Sequence, residues 1–187
     1  MKSNFKQKKR KKTKQQHWTT LGGLHFTQGN FDEAQQYFKE SLETTIKTFG
    51  TRKHVDVSTT LGNLGALAKS QEKFDEAQQY FKEYLETTIK KFGTCEYVSV
   101  ATTLSNLGEL AQSQEKSDEA EKYLKEAIAI FIKVYGAENH EDVKGVQNKL
   151  DKLEEVRNVS NSLNADIGGN NTEPKTENLE KLKNNIK

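Results

Sequence analysis

The sequence predicts an all-α solenoid, a stack of helical hairpins, and three observations carry that expectation. A 43-residue unit occurs three times: Phe31-Asp32-Glu33-Ala34-Gln35-Gln36-Tyr37-Phe38 returns from Phe74 and, more loosely, from Ser117. Apolar residues within each unit recur at spacings of three and four, as in Leu61, Leu64, Leu67, Ala68 and again in Leu104, Leu107, Leu110, Ala111. That spacing puts them on one helical face. Proline is absent from every candidate helix, since the single Pro174 lies near the C-terminal end. A fixed period of this length marks a solenoid, in which each unit buries its apolar face against its neighbours.

The elements follow in chain order. Residues 1–14 carry eight basic residues and no acid, so a solvated, disordered arm is expected there. The chain as a whole has 29 Lys/Arg and 27 Asp/Glu, so everything after the arm is net acidic. The solenoid is expected over 15–157, with repeats at about 15–54, 55–97 and 98–140 and a cap at 141–157.

Within a repeat, Asp56, Ser99 and Asp142 occupy equivalent places and are N-cap residue types, which predicts that a first helix starts at each. The second helix opens on acids (Asp32-Glu33, Asp75-Glu76, Asp118-Glu119) that complement the helix dipole. It is expected to run through Ala77, Phe81, Leu85 and Ile89 and to stop at Gly50, Gly93 and Gly136. Glu43/Lys47 and Glu86/Lys90 are i,i+4 pairs for its outer face. A last helix through Val143, Val146, Leu150, Leu153 and Val156 has no partner and reads as the cap. From 158 to 187 the composition turns to Asn, Ser, Thr and Gly, which predicts a mostly disordered tail.

Several function classes are disfavoured. No run of about 18 apolar residues is present, so no membrane span is expected. The basic N-terminus lacks the apolar core of a signal peptide, which predicts a cytoplasmic chain. Lys8-Lys9-Arg10-Lys11-Lys12 matches a basic import signal, so a nuclear location is the other expectation. The same cluster could touch nucleic acid by counterion release. Cys95 is the only cysteine, which rules out an internal disulfide and a CxxC metal site. His17, His25, His54 and His140 form no metal-ligand spacing, and no nucleophile–base pair or phosphate loop stands out. Neither catalysis nor a cofactor nor a metal is expected.

The repeats resemble the tetratricopeptide repeat (TPR). The first unit supplies Trp18, Leu21-Gly22, His25, Ala34, Phe38 and Ser41 at that family's positions. The second supplies Leu61, Leu64-Gly65, Ala68, Ala77, Phe81 and Tyr84, and the third Leu104, Leu107-Gly108, Ala111, Ala120, Leu124 and Ala127. The long period and the stretch His54-Val55-Asp56-Val57-Ser58-Thr59-Thr60-Leu61 are similar to the kinesin light chain subfamily. That resemblance implies antiparallel helix pairs in a right-handed superhelix whose concave groove binds a peptide or helix of a partner protein. The loop proline of the subfamily is missing and no heptad coiled coil is present, which argues against a motor subunit.

In that subfamily asparagines of the first helix contact the bound peptide, and Asn63 and Asn106 hold the matching positions. A primary amide can donate to a carbonyl and accept from an N–H at once. An ordinary exposed asparagine between two leucines is the other reading. Neighbouring groove positions are Thr59, Gly62, Ala66 and Lys69 in one unit and Thr102, Ser105, Glu109 and Gln112 in the next. Lys69 is the only cation among them, which disfavours a clamp for a carboxylate. Self-association through the exposed ends of a short stack is a further expectation.

Overall fold

The computed structural model of the 187-residue chain describes residues 2–52, 54–94 and 97–167. Within them, side chains are described from Thr13 to Ser162, Val55 and Asp56 excepted. Cys95, the side chains of Lys8, Lys9, Arg10, Lys11 and Lys12, and the tail beyond 167 lie outside the described residues. The chain divides into two units, 1–150 and 151–187. Among the described residues there are seven helices and no strand: α1 Lys2–Thr27, α2 Phe31–Phe49, α3 Val55–Ser70, α4 Phe74–Phe92, α5 Val98–Ser113, α6 Ser117–Tyr135 and α7 Glu141–Ile167.

Helices pair as the repeat dictates. α1 packs on α2, α3 on α4 and α5 on α6, while α2/α3 and α4/α5 join successive pairs. The chain is thus the expected all-α solenoid of three hairpins and a capping helix. Each pair closes on a glycine. A Cβ on Gly22 would lie 2.5 Å from the Phe38 ring, one on Gly65 2.6 Å from Phe81, and one on Gly108 2.8 Å from Leu124. Only a hydrogen fits at these points, so the second helix can seat its large residue directly on the first. Phe38 and Phe81 are fully buried there. Burial of one such ring contributes on the order of 2–3 kcal/mol.

Gly23 and Gly62, the other glycines inside α1 and α3, are different. Nothing lies within 4 Å of a Cβ at Gly23, and Gly62 would meet Tyr84 at an ordinary 3.5 Å. Neither backbone is pressed by a neighbour.

Helix ends carry the period as well. Gly50, Gly93 and Gly136 are left-handed (φ 70°, 71° and 68°), and each donates its N–H to the Ile carbonyl four residues back. The turn inside each hairpin also needs a left-handed residue: Gly29 at φ 78°, but Glu72 at 57° and Glu115 at 59°. Two glutamates therefore occupy a conformation that L-residues disfavour.

The N-cap assignments shift. α3 starts at Val55 and α5 at Val98, so Asp56 and Ser99 fall inside the first turn, as Asp142 does in α7. The residue before α5 is Tyr97, which makes no side-chain cap. For α7, His140 Nδ1 accepts the Asp142 amide at 3.2 Å. At these helix starts a pair of rings recurs at the same interval, stacked in two units and tilted in the third. Phe49 lies on His54 (3.6 Å, 5°), Phe92 meets Tyr97 at 5.0 Å, and Tyr135 lies on His140 (3.5 Å, 12°).

Ile89 departs from the expected buried face and is exposed. Ala77, Phe81, Leu85 and Ile89 step by four residues, and each such step turns about 40° beyond a full circle. By Ile89 the side chain has rotated off the packed face.

The backbone of residues 2–14, read from sequence as an arm, is helical and continuous with α1. α7 runs past the expected 157 to Ile167. Val143, Val146 and Leu150 are buried within the first unit. In the second unit Leu153 is buried and Val156 half-buried.

Candidate functional site

A groove of the first unit lies between the second and third repeats, with an open volume of about 820 Å³. α3 contributes Thr59, Gly62 and Asn63, and α5 contributes Ser99, Thr102 and Asn106. These residues project from first helices at matching places in successive units, so the period itself sets them side by side. Tyr84 of α4 supplies part of the wall. It stands where the first repeat has Ser41, and its ring reaches across the space that the missing side chain of Gly62 leaves. Tyr97, Val98 and Val134 complete the rim.

Five of the groove residues expected from sequence thus line one cavity: Asn63, Asn106, Thr59, Gly62 and Thr102. The Thr102 hydroxyl donates to the Val98 carbonyl of its own helix at 2.9 Å. Lys69, Ser105 and Glu109 are gathered elsewhere, in a polar ladder across α3, α5 and α7. Glu109 pairs with Lys69 on one side and with Lys149 on the other. Lys69 Nζ also donates to Asn106 Oδ1 at 3.3 Å, and Lys149 Nζ donates to the buried Ser105 hydroxyl at 2.9 Å. Gln112 is half-buried near the end of α5 and is not among the groove-lining residues.

The electrostatics of the ladder follow from its geometry. Burial pushes the Glu109 carboxyl up, but hydrogen bonds from Lys149 and Lys69 and their charges outweigh it. The group is held below its ordinary value of 4.5. Glu109 therefore stays ionised and pairs with both lysines, and the triad keeps one net positive charge.

Lys149 was not legible as a site residue. It occupies in α7 the position that Asn63 and Asn106 occupy in α3 and α5. The signal was the spacing Lys69–Glu109–Lys149, two steps of 40 residues rather than 43. Three residues fewer than the period is about one helical turn, so each step links a residue to one a turn earlier on the next first helix.

The first junction is built from hydroxyls instead. Ser41 is fully buried, with the Thr19 hydroxyl at 2.7 Å and the Thr60 hydroxyl at 3.2 Å. Trp18 stacks on Tyr37 (5.7 Å, 17°), which makes it a packing residue of the first repeat. No group of three or more His, Cys, Asp and Glu gathers among the described residues. Among them no helix is long and apolar enough to cross a membrane.

Comparison with known proteins agrees with the helical-hairpin fold. Models of the tetratricopeptide repeat match residues 15–90 and 100–142, together more than half of the chain. The crystal structure of BtubC (BKLC) from P. vanneervenii is 22% identical, with a TM-score of 0.60 over 86% of this chain and 67% of that one. That of a Podosopora anserina candidate kinesin light chain with nearly identical TPR-like repeats is 15% identical. Its TM-score is 0.64 over 86% of this chain and 78% of that one. The N-terminal domain of stress-induced protein-1 (STI-1) from C. elegans is 19% identical, with a TM-score of 0.54 over 75% and 94%. At such identities the likeness is one of fold. No curated protein matches the chain. With its repeats matched in sequence and its helical hairpins matched in structure, the chain belongs to the tetratricopeptide repeat family.

Proposed function

We propose that this chain is a non-catalytic adaptor that holds an extended peptide of a partner protein in the groove between its second and third repeats. Tetratricopeptide repeats make it a protein-interaction module. The finer reading is supported by one observation above the rest: Asn63 and Asn106, one repeat apart, line the same open groove. Two amides spaced by a repeat can each hold the backbone of a passing strand, and small neighbours leave room for it.

The test is affinity purification from matched cell extract with three baits: the intact chain, Asn63→Ala/Asn106→Ala, and a chain lacking residues 1–14. Loss of partners with the double substitution and their retention by the truncation supports the groove. Retention by the double substitution overturns it.

A second reading attaches to residues 1–14. Their basic residues, set along a helical backbone and free of acids, suit a polyanion such as nucleic acid. Binding of RNA or DNA that falls steeply with salt and disappears with the truncation supports that reading. Binding without a salt slope overturns it.

A further inference from the structure

Residues matched by the period show what the first repeat lacks. Leu61, Leu64 and Leu67 of α3 are fully buried, packed with Ala34, Phe38 and Leu42 of α2. Leu104, Leu107 and Leu110 of α5 are buried as well. The matching residues of α1 are Trp18, Leu21 and Leu24. Trp18 and Leu21 are only half-buried, and Leu24 is 51% exposed, against 1% for Leu67 and 1% for Leu110. A terminal repeat of a solenoid needs a polar outer face to meet water. This one keeps three large apolar residues there, and His25, matching Ala68 and Ala111, is the polar member of the strip.

α1 also overruns its counterparts. It has 26 residues, where α3 and α5 have 16 each. Val55, the first residue of α3, matches Lys12, so Lys2–Lys11 add about 15 Å of helix. These turns hold six basic residues and no acid. Lys14, where α3 and α5 bury Val57 and Val100, sets its Nζ 5.8 Å from the centroid of the Trp18 ring. The apolar strip thus passes directly into a basic one.

The helix that covers α3 gives the form of an occupant. α2 ends where α3 begins, so it runs back along α3 and lays apolar residues four apart on the leucines. A helix set on α1 in the same way ends its apolar contact near Lys12, and its continuation follows the basic turns. Nucleic acid brings no apolar side chain to Leu24. A second copy laid antiparallel on α1 would bring the last turn of its own α1, which holds no acid, against the cations.

We infer that this end of the stack docks an amphipathic helix of a partner protein. That helix carries an apolar stripe at spacings of three and four for Trp18, Leu21 and Leu24, followed toward its C-terminus by acidic residues for the cationic turns. The surface is separate from the groove of Asn63 and Asn106, and it stands or falls apart from whether a peptide occupies that groove.

The probe is a synthetic copy of Phe31–Phe49, the helix type that covers α3, with a run of glutamates added after its last residue. A plain copy without the run is the comparison. Fluorescence anisotropy with the intact chain reads the extended peptide as about tenfold tighter than the plain one, and the difference fades between about 0.05 M and about 0.5 M salt. Leu24→Gln weakens the extended peptide about tenfold. Leu24 is exposed, so circular dichroism shows an intact fold for that variant. Replacing the basic residues of Lys2–Lys11 by Gln brings the extended peptide down to the level of the plain one. Asn63→Ala/Asn106→Ala changes neither.

Binding indifferent to Leu24→Gln would reduce the contact to charge and overturn the inference. So would equal affinity of the two peptides, or loss of binding on Asn63→Ala/Asn106→Ala. No binding of either peptide, whether or not the basic turns take up DNA or RNA, would overturn it too. A dimer seen by sedimentation and dissolved by Leu24→Gln, with no peptide bound, would make the strip a contact between copies and sink it.

Discussion

Glu109 of α5 takes a lysine from each neighbouring first helix, Lys69 from α3 and Lys149 from α7. One carboxylate thus ties together three helices that a solenoid otherwise joins only pairwise. The tie is partly buried, so water screens it less than a surface pair.

Glu109→Gln leaves two lysines facing an amide and should lower stability at neutral pH by about 1–2 kcal/mol. The folded carboxyl lies below its ordinary value of 4.5, so its contribution is complete above that value. It is lost as the pH falls through the depressed folded value. Urea unfolding at a series of pH values should therefore show the wild-type advantage shrinking below 4.5. An advantage that stays constant into acid would count against the ladder.

Glu72 sits at φ 57°, where the first repeat uses Gly29. Relief of the left-handed strain outweighs the extra freedom glycine gives the unfolded chain. Glu72→Gly should raise stability by about 0.5–1 kcal/mol. Gly29→Ala should lower it by a similar amount. The midpoint and slope of chemical denaturation separate the two directions.

Alanine scanning of the helical glycines should sort them by what stands opposite. Gly65→Ala drives a methyl into the Phe81 ring and should cost about 1–3 kcal/mol. Gly23→Ala meets open space and should stabilise by about 0.5–1 kcal/mol. Equal effects at both positions would refute the packing role assigned to the Leu-Gly pair.

The ring stack between Tyr135 and His140 should be replaceable by the type found one repeat earlier. His140→Ala removes both the stack and the acceptor of the Asp142 amide, and should lower the thermal midpoint. His140→Tyr, copying Tyr97, should recover the part owed to ring contact. No difference between the two variants would show that only the amide contact counts.

Much of this molecule is written in its period. The helix pairing, the Leu-Gly contacts and the terminating glycines are local consequences of residues that recur every 43 positions. The groove amides Asn63 and Asn106 are legible for the same reason. The ladder was hidden because its spacing of 40 cuts across the repeat, and because Lys69 and Glu109 read singly as a groove cation and a groove acid. The helix starts were misplaced because Asp56, Ser99 and Asp142 have the chemistry of caps, whereas α3, α5 and α7 each begin one residue earlier, beside a ring pair. Nor does an average turn composition reveal that Glu72 and Glu115 bear a conformation suited to glycine.

The ring pair at Phe49–His54, Phe92–Tyr97 and Tyr135–His140 is one joint used three times, stacked with a histidine and tilted with a tyrosine. A gene encoding an extra copy of residues 55–97 would bring its own joint and splice in frame without new design. Glu109 would not copy with it, since the corresponding position of the second repeat is Ala66. The joint lets such a chain grow by duplication, whereas the ladder, which spans α3, α5 and α7, belongs to one place in the stack.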